Sequence, residues 1–279
     1  MNALVIILNY NSPKDTLRLA TSVVKMTEMS VCIVDNNSND SSVDIIDESF
    51  RGIMRVTLLR SETNGGYGAG NNIGMRYAVE NGFTTAFLIN PDVVINDGHV
   101  FSECFKVLKN TDSAVAVGPK VNGIRPFPLR PGLLSFLLPF AHRLVEDRYY
   151  RVIEKEKNEA ITVYKLYGCF LCVDLVKMKS LGFFDEATFL YFEESILAEK
   201  SLVQNFTCHY LQYVSIDHSA QGSVSQLGIK QFQFFFKSCF IYLNKYRRFS
   251  KVTSFGLASI DVFFRFIINT IRRIRVEYF

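Results

Sequence analysis

Through the first 118 residues, short apolar runs alternate with longer amphipathic stretches, and a polar turn closes almost every run. Residues 3–8, 31–34, 55–59, 86–89 and 114–117 are rich in Val, Ile, Leu and Ala and too short for helices, so they read as β-strands. Between them, residues 13–27, 41–50, 70–81 and 97–109 carry apolar side chains at helical spacing. Strand and helix in regular alternation predict parallel strands with crossover helices, an α/β domain.

The first four strands end in residues that can do chemistry. They are Asn9-Tyr10-Asn11, Asp35-Asn36-Asn37-Ser38-Asn39-Asp40, Asn64-Gly65-Gly66-Tyr67-Gly68-Ala69-Gly70-Asn71-Asn72 and Asn90-Pro91-Asp92. Ligands of open α/β sheets bind outside the carboxyl ends of the strands, so the four turns are expected to converge on one pocket. Gly66, Gly68 and Gly70 stand where a strand gives way to a helix, but Ile73 occupies the place of the third glycine of a dinucleotide fingerprint. The stretch reads instead as a flexible turn at a helix N-terminus, suited to close approach of nucleotide phosphates. Asp92 ends an apolar run behind a proline; it fits a metal ligand and, taken alone, equally a turn former.

Residues 120–162 lack a periodic pattern, contain Pro126, Pro128, Pro131 and Pro139 and a charged run at 154–157, and read as a flap over the acceptor side. The short apolar segment at 133–140 fits core packing or an acceptor or lipid contact, and Arg125 and Arg130 fit solvated loop positions or a phosphate contact. Six cysteines lie among apolar neighbours and read as reduced and structural. Cys169 and Cys172 have C-x-x-C spacing, but on a strand residues three apart point to opposite faces.

With 279 residues, 48% of them hydrophobic, the chain can bury one large core and carry an appendage. The boundary falls after Gly228, where the net charge of +4 splits into −4 for residues 1–228 and +8 for residues 229–279. The tail also carries 14 of the 38 Phe and Tyr residues. Basic and aromatic together suggest a helical tail lying on an anionic membrane; its longest apolar stretch is interrupted by Asp261 and Arg265, against a spanning helix. The alternative is a helical pair packing its aromatics on the main domain or on a second copy of the chain, as in a homo-oligomer. No nucleic-acid-binding motif accompanies the charge. The apolar run after Met1 has neither the basic flank nor the cleavage site of a signal peptide, which points to a cytoplasmic protein, peripheral on the inner face of the cell membrane.

These turns, in their order and spacing, together with Leu181-Gly182-Phe183-Phe184-Asp185-Glu186 and Tyr191-Phe192-Glu193-Glu194, resemble the family 2 glycosyltransferases, especially the bacterial rhamnosyltransferase-like branch. The resemblance covers roughly residues 3–225. It implies a GT-A fold, with a Rossmann-like, mostly parallel central sheet flanked by helices, to which the C-terminal helical extension is added. Residues 1–118 would be the nucleotide-sugar half and residues 119–228 the acceptor and catalytic half.

The function so implied is inverting transfer of a sugar from a dTDP- or UDP-linked donor to a lipid-linked or oligosaccharide acceptor, in bacterial surface polysaccharide synthesis. Asn9, Tyr10, Asn11, Asp35, Asn37, Asn64, Gly65, Gly66, Tyr67, Gly68, Asn71 and Asn90 would form the donor site. Asp92 would hold Mg²⁺ or Mn²⁺, joined by His218 after the last strand, residues 208–215. The resemblance carries the base over to Glu194, with Glu193 as the alternative. Two positions depart from the family pattern: Glu194 is longer than the usual Asp, and Ile196 stands where relatives often place another Asp. The departures leave a second reading open, a catalytically silent sugar-nucleotide-binding subunit. A nucleotidyltransferase is a poor fit, because Asn9-Tyr10-Asn11-Ser12-Pro13 offers no basic, glycine-rich triphosphate loop.

Overall fold

A computed structural model of the chain describes residues 1–124, 127–137, 144–150, 159–219 and 228–278. Arg125, Pro126, Pro139 and residues 154–157, singled out above, lie outside them. Strands β1 (Ala3–Asn9), β2 (Ser30–Asp35), β3 (Val56–Arg60) and β4 (Thr85–Ile89) alternate with helices α1 (Pro13–Met26), α2 (Ser42–Phe50) and α3 (Gly66–Glu80). The short β5 (Val93–Val94), α4 (His99–Asn110) and β6 (Ala114–Val121) complete the expected repeat. The chain continues through α5 (Leu133–Leu137), β7 (Ala160–Val163), β8 (Phe170–Asp174), α6 (Leu175–Ser180), α7 (Glu193–Val203) and β9 (Thr207–His218). It ends in α8 (Lys230–Ile241), a π-helical segment (Tyr242–Tyr246) and α9 (Lys251–Tyr278).

The sheet runs β3-β2-β1-β4-β8-β6-β9-β5, with β7 on β9. Strands β1 to β4 pair in parallel, and β6 runs parallel to β9. The expected five-strand parallel run is interrupted: β8 inserts between β4 and β6, antiparallel to both. A crossover connection fixes direction and handedness but not how many strand positions it skips, so a strand from the second half fills the gap.

Leu4, Val5, Ile6 and Ile7 of β1 are all at most 1% exposed, as expected of a central strand covered on both faces. One face packs on α1 through Leu19, Ala20 and Val23 and on α4 through Val100, Phe101 and Cys104. The other packs on α3, α6 and α7 through Met75, Met178 and Leu197. All six cysteines are buried free thiols. The opposite-face expectation for Cys169 and Cys172 fails, because Cys169 precedes β8 and both enter the same core cluster.

Helix α3 begins at Gly66, four residues before the expected start, so Gly66 to Gly70 are helical rather than a phosphate turn. Only Gly66 uses a left-handed φ, +87°. A Cβ on Gly70 would lie 2.4 Å from Leu8, and one on Gly74 would lie 2.5 Å from Ile6, so these glycines let α3 lie directly on β1.

A third cluster joins the tail to the domain. Phe235, Cys239, Tyr242, Leu243, Leu257 and Ala258 pack with Phe136 of α5 and Ile196 of α7, in part as the second reading of the tail expected. The opposite side of α9 leaves Phe255, Phe263 and Phe266 more than half exposed. No helix among the described residues is long and apolar enough to cross a membrane.

Candidate active site

The turns after β1, β2 and β4 do meet at the carboxyl ends of the strands, around a cavity of about 910 Å³. Tyr10, Asn64, Gly66, Tyr67, Asn90 and Asp92 line its donor half. His218, Glu193 and Glu194 line it as well.

Asp92 and His218, 126 positions apart in sequence, are brought together by β5 pairing with the end of β9, where Val93 lies opposite His218. His218 is therefore the last residue of β9, not a residue beyond the strand. Its Nε2 lies 3.2 Å from Asp92 Oδ1, and its Nδ1 is buried without a partner. The turn is fixed from both sides: Arg18 donates to the Pro91 carbonyl, and the backbone and hydroxyl of Ser219 donate to the Asp92 carbonyl.

A divalent cation fits this pair. Neighbouring ligands of an octahedral ion about 2.1 Å away are about 3 Å apart, close to the spacing observed. Among the described residues no group of three or more His, Cys, Asp and Glu side chains could hold a metal. An ion here would take its remaining ligands from diphosphate oxygens and water, which is how Mg²⁺ is usually held.

Several predicted donor residues sit behind the cavity wall. Asn9 is fully buried, donating from Nδ2 to Asp35 and Ser38 and accepting from Thr16. The Asp35 carboxylate accepts from Asn9, from the Ser38 amide and from the Ser38 hydroxyl, so it holds its own turn closed. Asn11, at φ +50°, accepts from the Asn39 amide and donates its own amide to the Ser38 hydroxyl; exposed Asn37 bends the same turn at φ +61°. Gly65 precedes α3, Gly68 faces Phe184 and Glu193, and Asn71 donates back to the Tyr67 carbonyl. The first amides of α3 are already used, Gly66 N–H by Asn64 Oδ1 and Tyr67 N–H by the Phe189 carbonyl.

The stretch from Gly182 to Glu186 serves as a clamp. Asn72 exchanges hydrogen bonds with the Phe184 backbone and donates to Glu186, while Asp185 binds Lys245 and Tyr246 of the tail.

The two acids open α7 through an unusual turn. Tyr191 and Phe192 both adopt left-handed backbone, φ +72° and +69°, a conformation that costs bulky side chains about 1–3 kcal/mol each. Their rings pack on Phe235, 5.4 and 5.1 Å away, and Phe192 also lies 5.2 Å from Tyr242. Glu193 is 3% exposed with Oε1 unpartnered; burial and then the charge of Glu194 push its carboxyl up to about 8. Both causes favour its protonated form.

Glu194 lies flat on Gly168, where a Cβ would come within 2.0 Å of its Oε1. Gly168 is in turn held by Tyr67, whose hydroxyl donates to its carbonyl at 2.6 Å. A missing side chain at 168 thus makes room for the longer acid. Ile196, where a further acid is common in relatives, is fully buried in the third core cluster. We expect Gly168→Ala to fold but to lose at least about 10²-fold in turnover, because a displacement near 1 Å at a catalytic group costs that much. Wild-type turnover in this variant, with an unchanged melting temperature, would contradict the placement of Glu194.

Residues not anticipated from sequence also line the cavity: Asn36, whose Oδ1 is buried without a partner, Lys165, Tyr167, Cys169, and Asp261 and Arg265 of the tail. Arg265 rests 3.9 Å over the Phe235 ring and 3.5 Å from Asp261. Below the cavity, Arg130 and Arg247 flank the buried Glu199, which also accepts from Tyr164. Arg130 is thus a solvent-exposed loop residue, as one reading of it expected, whose guanidinium also pairs with buried Glu199.

Comparison with known proteins adds the following. The family model described as Glycosyl transferase family 2 matches residues 4–172. The low-salt glycan biosynthesis hexosyltransferase Agl10 of Haloferax volcanii is 22% identical over 92% of this chain and 77% of its own length. Among solved structures, GalNAc-T7 with UDP, GalNAc and Mn²⁺ superposes with a TM-score of 0.61 at 14% identity, covering 89% of this chain and 51% of that one. The mannosyltransferase PcManGT of Pyrobaculum calidifontis, in complex with GDP-Man and Mn²⁺, gives 0.60 at 14% identity, covering 94% and 69%. The chain thus spans about half the length of the GalNAc-T7 chain, and the likeness to both structures shows a shared glycosyltransferase fold.

Proposed function

The chain belongs to glycosyl transferase family 2, and from that membership we propose that it transfers a hexosyl or rhamnosyl unit, with inversion, from a UDP- or dTDP-linked donor to a lipid-linked saccharide in surface polysaccharide synthesis. The observation that carries this reading is the meeting of the Asp92–His218 pair and Glu194 in one cavity at the strand ends.

Asp92 and His218 would hold Mg²⁺ or Mn²⁺. When bound, the ion supplies Lewis-acid stabilisation of the charge that grows on the departing diphosphate. Asn90, Asn64 and Tyr10 sit where the nucleotide enters, and Asn36 offers an unused acceptor oxygen beside them. Glu194 takes the proton of the acceptor hydroxyl as it attacks the anomeric carbon; Glu193, in surroundings that favour its protonated form, is poorly suited to do so. The acceptor enters on the side walled by Phe234, Phe235, Asp261 and Arg265. The half-exposed Phe255, Phe263 and Phe266, with the basic charge of the tail, support docking on an anionic membrane face.

A thermal-shift screen of nucleotide sugars, with and without Mn²⁺, tests the donor site. One UDP- or dTDP-sugar is expected to stabilise the protein by about 2.7 kcal/mol at 100 times its Kd, and only with the metal. If no nucleotide moves the melting temperature with metal present, the donor reading is wrong. Tight binding without turnover would favour the silent-subunit reading.

A further inference from the structure

Lys165 is a half-buried cation in the cavity wall that the reaction outlined above does not use. It sits on the isolated bridge between Phe127 and the segment leading into β8, with its ammonium 4.3 Å over the Phe127 ring. Among the described residues, its Nζ donates to the hydroxyl of Ser195 at 3.0 Å. Neither partner is an anion. A buried ammonium is costly unless an opposite charge compensates it, so its counter-charge must be sought among the carboxylates facing it.

The backbone places those carboxylates close by. The segment from Tyr164 to Gly168 packs on the first turn of α7: Tyr164 reaches the Ser195 carbonyl, Lys165 the Ser195 hydroxyl, and Gly168 lies under the Glu194 carboxylate. Ser195 is the next residue after Glu194, so the ammonium is docked on the turn that carries the acid pair, and all three side chains line the same cavity. Around Lys165, α7 presents Glu193 and Glu194, α9 presents Arg265 and Asp261, and the helical residues 144–150 present Glu146. Around the acids, α3 adds Tyr67, and Tyr191, Tyr167 and Cys169 come from the flanking turns.

We propose that Lys165 is a positioning residue for the base: docked on Ser195 and Phe127, its ammonium ties the segment before β8 to the first turn of α7 and supplies the positive charge that offsets the acids opening that turn. The inference rests on Glu194 being the base. Burial, and secondarily Arg265, pull the ammonium below the ordinary lysine range, while Glu194 acts most strongly in the other direction; Lys165 in turn lowers the Glu193 carboxyl. Removing the cation makes a negative charge on Glu193 harder to sustain.

The test compares wild type, Lys165→Gln, Lys165→Arg and Ser195→Ala in the full-length protein. One arm follows hydrolysis of the UDP- or dTDP-sugar found in the thermal-shift screen across pH. The other follows ¹³C carboxyl resonances of labelled glutamate, assigned with Glu193→Gln and Glu194→Gln. Lys165→Gln is expected to move the acid limb of turnover upward by about one pH unit, a tenfold loss on that limb, and to raise the Glu193 titration with it. Lys165→Arg restores both, and Ser195→Ala shifts both in the same direction by less. Since Ser195→Ala removes only a hydroxyl, it keeps the test valid if Lys165→Gln fails to fold. An acid limb and a Glu193 titration unmoved in Lys165→Gln, or an arginine variant no better than glutamine, would overturn the proposal. Full turnover in Glu194→Gln would overturn the base reading and this role together, recognisable because the carboxyl titration would still respond to Lys165.

Discussion

Glu194→Gln is expected to lower turnover by about 10²- to 10⁴-fold with little change in donor affinity, the range for losing a general base. The substitution keeps the size of the side chain and its seat on Gly168, so geometry is preserved while proton affinity is removed. The comparison with Glu193→Gln makes the test specific. That neighbour is buried in surroundings that favour its protonated form, so an amide there changes little at neutral pH. Steady-state kinetics of both variants should separate them by at least an order of magnitude in kcat. Equal losses, or a larger loss at Glu193, would reverse the assignment.

Asp92→Ala should be comparably severe but for a different reason. It removes one of the two side chains that would hold the cation and leaves His218 Nε2 without its 3.2 Å partner. Lewis-acid stabilisation of a leaving diphosphate is worth several kcal/mol, so a fall of about 10³-fold or more follows at 1.36 kcal/mol per decade. Unlike Glu194→Gln, this variant should also lose the metal-dependent part of donor binding in calorimetry, and EDTA should bring wild type to the same level. Metal-dependent binding that survives in Asp92→Ala would place the ion elsewhere.

The first half of the fold was legible because its signals are local. The alternation of apolar runs and amphipathic stretches comes directly from burial of β1, β2 and β4 on both faces, and each of the strands β1 to β4 overlaps its predicted span. The strand-end principle then sufficed to bring Asn90, Asp92, Asn64 and Tyr10 to one cavity. The glycine-rich stretch was misleading because glycine answers two different demands, positive φ and close approach. Gly66 meets the first, while Gly70 and Gly74 meet the second, packing on Leu8 and Ile6. Donor-site residues such as Asn9 and Asp35 were found as polar turn positions, yet sequence cannot distinguish a side chain that faces ligand from one that secures the turn.

The acceptor side was much less readable. Gly168 and Lys165 matter through contacts with residues some thirty positions away, in a stretch with no periodicity or motif around them. Asp261 and Arg265 appeared only as interruptions of an apolar helix, which argues against a membrane span but says nothing about facing a cavity. Their place follows from how Phe235 and Tyr242 pack, and that packing is a tertiary fact.

The left-handed turn at Tyr191 and Phe192 has a consequence for the order in which the protein is made. A chain leaves the ribosome from its N-terminus, and the acids of α7 are synthesised before the rings of Phe235 and Tyr242 that pack against the turn. Until those rings arrive, two bulky residues have every reason to relax toward extended backbone and carry Glu194 with them. The nascent domain can assemble its nucleotide half while its acid remains unaimed, so a segment translated after the acids is the one that completes the site.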